Sequence, residues 1–309
     1  MAIGGGEAML TESVHAYLSI RRAGGFSLHA DERLLLNFVR YAAERGEDHI
    51  RTTTAIEWAA GARSLRQRGI RLRTLTRFAR HVRAEDSEHQ LPPDHVFAAP
   101  IYRRLPHIFE PEELYQILEE AGNLGPAGSL QPWTYQTLFG LLASCGLRIS
   151  EAIALKVEDM TEDGLIIRNT KFRKTRLVPM HETTEAAMKE YLILRQTAGG
   201  GTDHFFVSPW GKPLCYPTVS RNFLKILRGL GLRGEKGQPG PRLHDFRHTT
   251  TVRALESCPP DQVANHMLAL STYLGHSKLA NTYWYIHATP QLLAGIADAC
   301  QAQFEGGRS

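Results

Sequence analysis

No stretch of this chain is apolar for long enough to cross a bilayer. The best run, residues 138–147, is interrupted by Gly140, Ser144 and Gly146, and a spanning helix needs roughly 20 consecutive apolar residues. The opening residues, MAIGGGEAML, offer neither a basic cluster nor an apolar core, so export is not expected and a cytoplasmic location is. Cysteine is scarce. The four in 309 residues, Cys145, Cys215, Cys258 and Cys300, are widely spaced with no CxxC pair, which argues for incidental thiols in a reducing compartment and against a disulfide framework. Acid is missing from one long window: between Glu57 and Glu85 there is no aspartate or glutamate, yet eight arginines fall there (Arg63, Arg66, Arg68, Arg71, Arg73, Arg77, Arg80 and Arg83). Such a run should repel itself unless a polyanion neutralises it. Its being all arginine favours bidentate phosphate contact over a merely solvated helix face.

What remains is ordinary globular composition, 42% hydrophobic and 22% charged with a net charge of +4, and a length that suits two domains. The first hundred residues show no strand alternation. Apolar residues at three- and four-residue spacing predict helices over residues 13–23, 30–45, 54–68 and 72–84. Prolines at positions 92, 93, 100 and 106 mark a linker, placed at residues 101–110 between a helical domain at 1–100 and a second domain at 111–309. In the second domain helices are predicted over 111–121, 134–144, 184–197 and 217–230. A hairpin pairs 164–168 with 176–179 across a basic turn, and a short strand covers 204–207. From His244 the chain is read as helical to its end.

Chemistry-bearing residues gather in two places. Arg148, in CGLRISEAIAL, sits at a helix start, where a cation is unfavourable for the dipole unless an anion will lie there; pairing with Glu151 is the alternative. His244 and Arg247, in LHDFRH, share one helix face and converge on one phosphate-sized target. The same segment sets His244 and His248 at i and i+4 beside Asp245, as in a zinc HExxH helix. The short aspartate, the intruding Arg247 and the lack of an obvious third ligand weigh against a metal. Beyond it lie His276, in YLGHS, and two candidate nucleophiles, Tyr283 and Tyr285, in TYWYIHATP.

Taken together these segments resemble the tyrosine recombinase (phage integrase) family over about residues 110–290. GLRISE resembles its first arginine box, LHDFRHTT its HxxRH box and YLGHS its third basic box. The tyrosine nine residues beyond His276 matches the family nucleophile, which selects Tyr285 over Tyr283. TKFRKTRLVPM resembles the hairpin with a catalytic lysine, and alignment on LVP selects Lys171, with Lys174 as the fallback. One departure stands out: Thr249, Thr250 and Thr251 replace the usual small apolar residues after the HxxRH box. TYWYIHATP is especially similar to transposon-borne members that act with paralogous recombinases.

The resemblance implies a mainly α fold with a small β-hairpin or sheet. An N-terminal helical, SAM-like core-binding domain would precede the catalytic domain. It implies catalytic roles for Arg148, Lys171, His244, Arg247, His276 and Tyr285, with no metal and no cofactor. Tyr285 would attack the scissile phosphate and leave a 3′-phosphotyrosyl link; His244 would take its proton. Arg148, Arg247 and His276 would hold the non-bridging oxygens, and Lys171 would protonate the leaving 5′-oxygen. The expected partner is double-stranded DNA, met by Arg63, Arg66, Arg73, Arg77 and Arg80, within a homo- or hetero-tetramer assembled on DNA with related recombinases. The protein would be nucleoid-associated when bound and would act in mobile-element integration or transposition. An accessory DNA-binding subunit serving a paralogous catalytic partner is the alternative. A final apolar stripe, Leu292, Leu293, Ile296, Cys300 and Phe304, fits docking on a neighbouring protomer or on its own domain.

Overall fold

Apolar spacing decides the architecture of the first hundred residues. Leu10, Val14 and Leu18 recur every four residues along α1 (Gly5–Ala23). Leu35, Phe38, Val39 and Ala42 do the same on α2 (His29–Ala43). These stripes meet Ala55, Trp58 and Ala59 of α3 (Thr52–Ala60) and Leu72, Leu75, Phe78 and Val82 of α4 (Leu65–Val82) in one shared core. Each large side chain so buried contributes about 1.5–3 kcal/mol of transfer free energy. Trp58 is fixed at its rim by an indole N–H donated to Asn37 Oδ1 at 2.8 Å.

These observations come from a computed structural model that describes residues 5–98, 104–126, 128–168, 175–199, 201–235, 237–259, 262–275 and 301. Among the described residues no helix is long and apolar enough to cross a membrane. The chain divides into two compact units, Met1–Arg103 and Arg104–Ser309.

Two boundaries in the first unit differ from the sequence expectation: α1 starts at Gly5, ahead of the start expected at residue 13, and the third helix ends early. The break between the third and fourth helices falls at residues 61–64, earlier than the gap expected at 69–71. Ser64 is the reason: its hydroxyl accepts the Gln67 N–H at 3.2 Å and caps α4, so the helix starts ahead of Arg66 and the arginines that follow it. Those arginines carry no apolar period and leave no hydrophobic signal.

The second unit is built on α6 (Gln131–Cys145), which packs against α5 (Pro111–Gly122), α8 (Glu182–Thr197) and α10 (Leu243–Glu256). After α6 come the short α7 (Ile149–Ala154) and an antiparallel sheet, β1 (Met160–Thr161), β2 (Gly164–Ile167) and β3 (Arg176–Val178). The unit also holds α9 (Tyr216–Gly229) and α11 (Val263–Tyr273). The expected hairpin is therefore the larger part of a three-stranded sheet, with Leu165 opposite Val178 and Ile167 opposite Arg176. The strand expected at 204–207 is not one. Only isolated bridges occur there, Lys156 to His204 and Val207 to Pro213. Phe205, Phe206 and Val207 are buried consecutively, so the segment lacks the alternation of a half-buried strand.

Aromatic packing sets the position of α10. The Phe246 ring lies 5.1 Å from that of Phe109, 5.4 Å from Phe223 and 5.9 Å from Phe139. The threonines that replace small apolar residues are all engaged in hydrogen bonds. Thr249 Oγ1 accepts the Phe109 N–H at 2.9 Å, Thr250 Oγ1 donates to the Ala143 carbonyl at 2.8 Å, and Thr251 Oγ1 donates to the Arg247 carbonyl at 2.7 Å. Polar side chains are tolerated at buried positions when satisfied in this way.

Candidate functional site

The first turn of α10 presents two of the expected residues. Phe246 is locked into the core, which fixes the stretch of helix that carries its neighbour Arg247 and, two residues earlier, His244. Arg247 is one of the largest fully buried side chains. Its guanidinium donates to the Gly146 carbonyl at 2.9 Å and to the Leu274 carbonyl at 2.5 Å. Carbonyls orient a guanidinium without cancelling its charge.

Arg148 reaches the same place from α7. The chain reverses after α6 at Gly146, whose φ of 59° is left-handed and favours glycine. Arg148 then donates through Nη1 to Glu151 Oε1 at 2.7 Å, and through Nη2 to the Gly275 carbonyl at 3.2 Å; Nη1 also lies 3.5 Å from the Leu274 carbonyl. Arg148 and Arg247 thus approach one carbonyl at the end of α11. The pairing with Glu151, one of two readings of Arg148, is present.

Glu151 and Arg176 are the residues sequence reasoning passed over as part of the site. Glu151 is almost fully buried and accepts the Arg148 backbone N–H at 3.0 Å. Arg176, on β3, grips both carboxylate oxygens, at 3.1 and 2.8 Å, and donates through Nε to the Tyr273 carbonyl at 2.7 Å. Burial alone would raise the Glu151 carboxyl. The hydrogen bond and charge of Arg176, with the bonds from Arg148, reverse this and hold it at about 2. A signal was available: two-residue alternation puts Arg176 on the same side of β3 as buried Val178, and an inward-facing arginine needs a partner.

His244 is exposed at the surface of the site, with its ring edge-on to that of His248 at 4.6 Å between centroids. Desolvation, followed by the charge of Arg247, lowers its pKa to about 4, with Arg148 and Arg242 acting in the same sense and Asp245 opposing. At neutral pH the ring is uncharged and retains a lone pair to accept a proton. Lys171, His276 and Tyr285, with Lys174, Tyr283 and the apolar stripe at 292–304, lie outside the described residues.

The zinc-like reading of HDFRH loses its acid in this geometry. Asp245 is buried and accepts the Arg242 backbone N–H at 2.8 Å, capping α10. Among the described residues the cluster that brings three potential ligand atoms together is His49, Asp86 and His89, in the first unit. His89 Nδ1 accepts the Ile50 N–H at 3.1 Å, so a neutral ring carries its proton on Nε2, the atom a metal would need. His49 instead bridges Asp48 at 2.6 Å and Asp86 at 2.9 Å, and the Asp48 bond raises its pKa. The cluster fits a proton-sharing clamp between two loops.

Of the arginines singled out on α4, Arg66, Arg73, Arg77 and Arg80 are all exposed and share one helix face, and exposed Arg63 precedes the helix. The absence of counter-charge does not extend to all of them. Asp31 pairs with Arg77 at 2.9 Å and Asp94 with Arg80 at 3.5 Å, both supplied from outside the acid-free window. Arg71 turns inward, donating to the Trp58 carbonyl at 3.0 Å and lying 5.2 Å from the Trp58 ring centroid.

Residues 107–291 match the model of the phage integrase family. A protein of Sinorhizobium fredii named as an integrase/recombinase, y4rB, is 36% identical over 91% of this chain and 94% of its own length. A second from the same strain, y4rE, is 30% identical over 96% and 97%. Among solved structures, the Tn1549 transposon integrase in complex with transposon right end DNA superposes with a TM-score of 0.65 at 19% identity, covering 95% of this chain and 99% of that one. The XerH site-specific recombinase bound to palindromic difH substrate gives 0.64 at 22%, covering 87% and 78%. At these identities the structural likeness speaks for the fold.

Proposed function

Because the chain belongs to the phage integrase family, we propose that it is a site-specific recombinase that cuts and rejoins double-stranded DNA through a 3′-phosphotyrosyl link. The observation that carries this reading is the convergence of Arg148 and Arg247 on the Leu274 carbonyl, with His244 one helical turn before Arg247 on α10. Two guanidinium groups can hold the non-bridging oxygens of a phosphodiester and offset the charge gained when a fifth oxygen adds to phosphorus. Tyr285 is the nucleophile, and His244 takes its proton. The tyrosine displaces the 5′-oxygen, which leaves with a proton from Lys171, while His276 donates to a non-bridging oxygen. One phosphodiester replaces another, so no nucleotide is consumed. The arginines supply the charge stabilisation that a metal ion gives other nucleases.

Four protomers on two duplexes complete the exchange, alone or with a related recombinase. Arg63, Arg66 and Arg73 carry the salt-sensitive part of DNA affinity, joined by Arg77 and Arg80 once their acids are exchanged for phosphate. Replacing Arg66 and Arg73 with alanine is expected to lower the slope of log K against log salt by about 0.9 for each phosphate that is no longer neutralised. A titration at several salt concentrations that returns an unchanged slope rejects this face.

The competing reading, a subunit that binds DNA for a paralogue and does no chemistry, makes the buried Arg148–Glu151–Arg176 network costly to keep, since desolvated charges stabilise little on their own. Covalent trapping separates the two. On a nicked duplex that loses its free 5′ end after cleavage, the protein should remain attached to the 3′ phosphate. No adduct, or attachment through a 5′ phosphate, contradicts the proposal.

A further inference from the structure

Two functional arginines and one carboxylate make a poor anion site, because the carboxylate cancels much of what one arginine offers. Glu151 lies 2.7 Å from Arg148 Nη1 and is nearly out of solvent. Paired with Arg148 alone, it would leave that guanidinium close to neutral as seen by a phosphate. The third arginine changes this balance. Arg176 takes both Glu151 oxygens in a bidentate grip, the strongest arrangement the two groups can form. The group then holds three guanidinium charges, half-buried Arg148 with the more deeply placed Arg176 and Arg247, against one carboxylate.

We propose that Arg176 is a positioning residue of the recombinase site, which neutralises Glu151 so that Arg148 keeps its charge for DNA phosphate, and which clamps β3 to the end of α11. The inference rests on the recombinase reading above. The second half of the claim comes from Arg176 Nε, which donates to the Tyr273 carbonyl. That bond fixes the turn whose next two carbonyls, Leu274 and Gly275, orient Arg247 and Arg148. Gly275 is left-handed with φ 64°, and a Cβ there would stand 3.0 Å from Arg176 Nη1, so the guanidinium packs flat against a residue with no side chain. Arg176 also pairs in register with Ile167, which joins β3 to β2 at that end of the sheet. One side chain therefore ties together the hairpin, the first arginine and the turn leading to His276.

The test is a double-mutant cycle of single-turnover cleavage on the nicked substrate, with DNA affinity measured alongside. Arg176→Gln should slow cleavage by roughly 100-fold, the scale expected when catalytic groups are misplaced by about 1 Å, with little change in affinity. Arg176→Lys keeps the charge but loses the fork, and should recover part of the rate. If Arg176 acts by neutralising Glu151, then Glu151→Gln added to Arg176→Gln should cost no more than Arg176→Gln alone, because contacting residues that act as a unit are not additive. Losses that multiply in the double variant, or a lysine variant no faster than the glutamine one at equal thermal stability, overturn the proposal. Wild-type protein that forms no adduct on this substrate instead overturns the recombinase reading, so the two failures are distinguishable.

Discussion

Replacing Arg247 with lysine is expected to slow DNA cleavage by roughly 100- to 1,000-fold, the loss typical of removing one preorganised donor from a charged transition state. The argument is geometric. A single ammonium cannot span the Gly146 and Leu274 carbonyls that the guanidinium holds at once, and lysine offers no fork for two phosphate oxygens. Binding of uncleaved DNA should change far less, because most of the proposed phosphate contacts are assigned to the arginine face of α4. Single-turnover rates and equilibrium titrations on the same substrate separate the two. A loss confined to affinity would place Arg247 in binding and outside the chemistry.

His244→Gln is expected to cost about 100- to 10,000-fold in the cleavage rate, the range for losing a positioned general base. The pH dependence carries the sign. Burial and Arg247 lower the His244 pKa from its usual 6.5 to about 4, so the free protein keeps a base-competent ring throughout pH 5–8. The rate limb assigned to His244 should therefore lie well below pH 6.5 for free enzyme. It should move upward in the DNA complex, where a phosphate favours the charged ring. Stability follows the same lowered value. Between 4 and 6.5 the unfolded chain binds the proton that the folded site refuses, so stability falls as pH drops through this window. His244→Gln removes that fall, and denaturant midpoints at pH 5 and pH 7 should lie closer together in the variant. Glu151 acts lower on the scale: its stabilisation is present above 4.5 and is lost as pH falls towards 2.

The parts of this molecule legible in sequence are those governed by local rules. Leu35, Phe38, Val39 and Ala42 announced α2 because one amphipathic face must be buried. Arg148, His244 and Arg247 were legible as a set through their motifs, and the structure brings those three together. What sequence left hidden was long-range. Residues 204–207 read as a strand because buried aromatic runs and strands share a composition, and only the lack of a continuous ladder beyond the isolated bridges separates them. Glu151 and Arg176 are 25 residues apart and meet through the sheet, so no spacing rule links them. The counter-charges of Arg77 and Arg80 come from Asp31 and Asp94, which an acid-free window cannot show.

The measurement closest to the central claim is peptide mapping of the covalent adduct formed on nicked DNA in the presence of EDTA. The account predicts an adduct on Tyr285, retained when Tyr283 is replaced by phenylalanine, lost when Tyr285 is, and formed as well with EDTA as without. Attachment through Tyr283, or cleavage that disappears with the chelator, would contradict it.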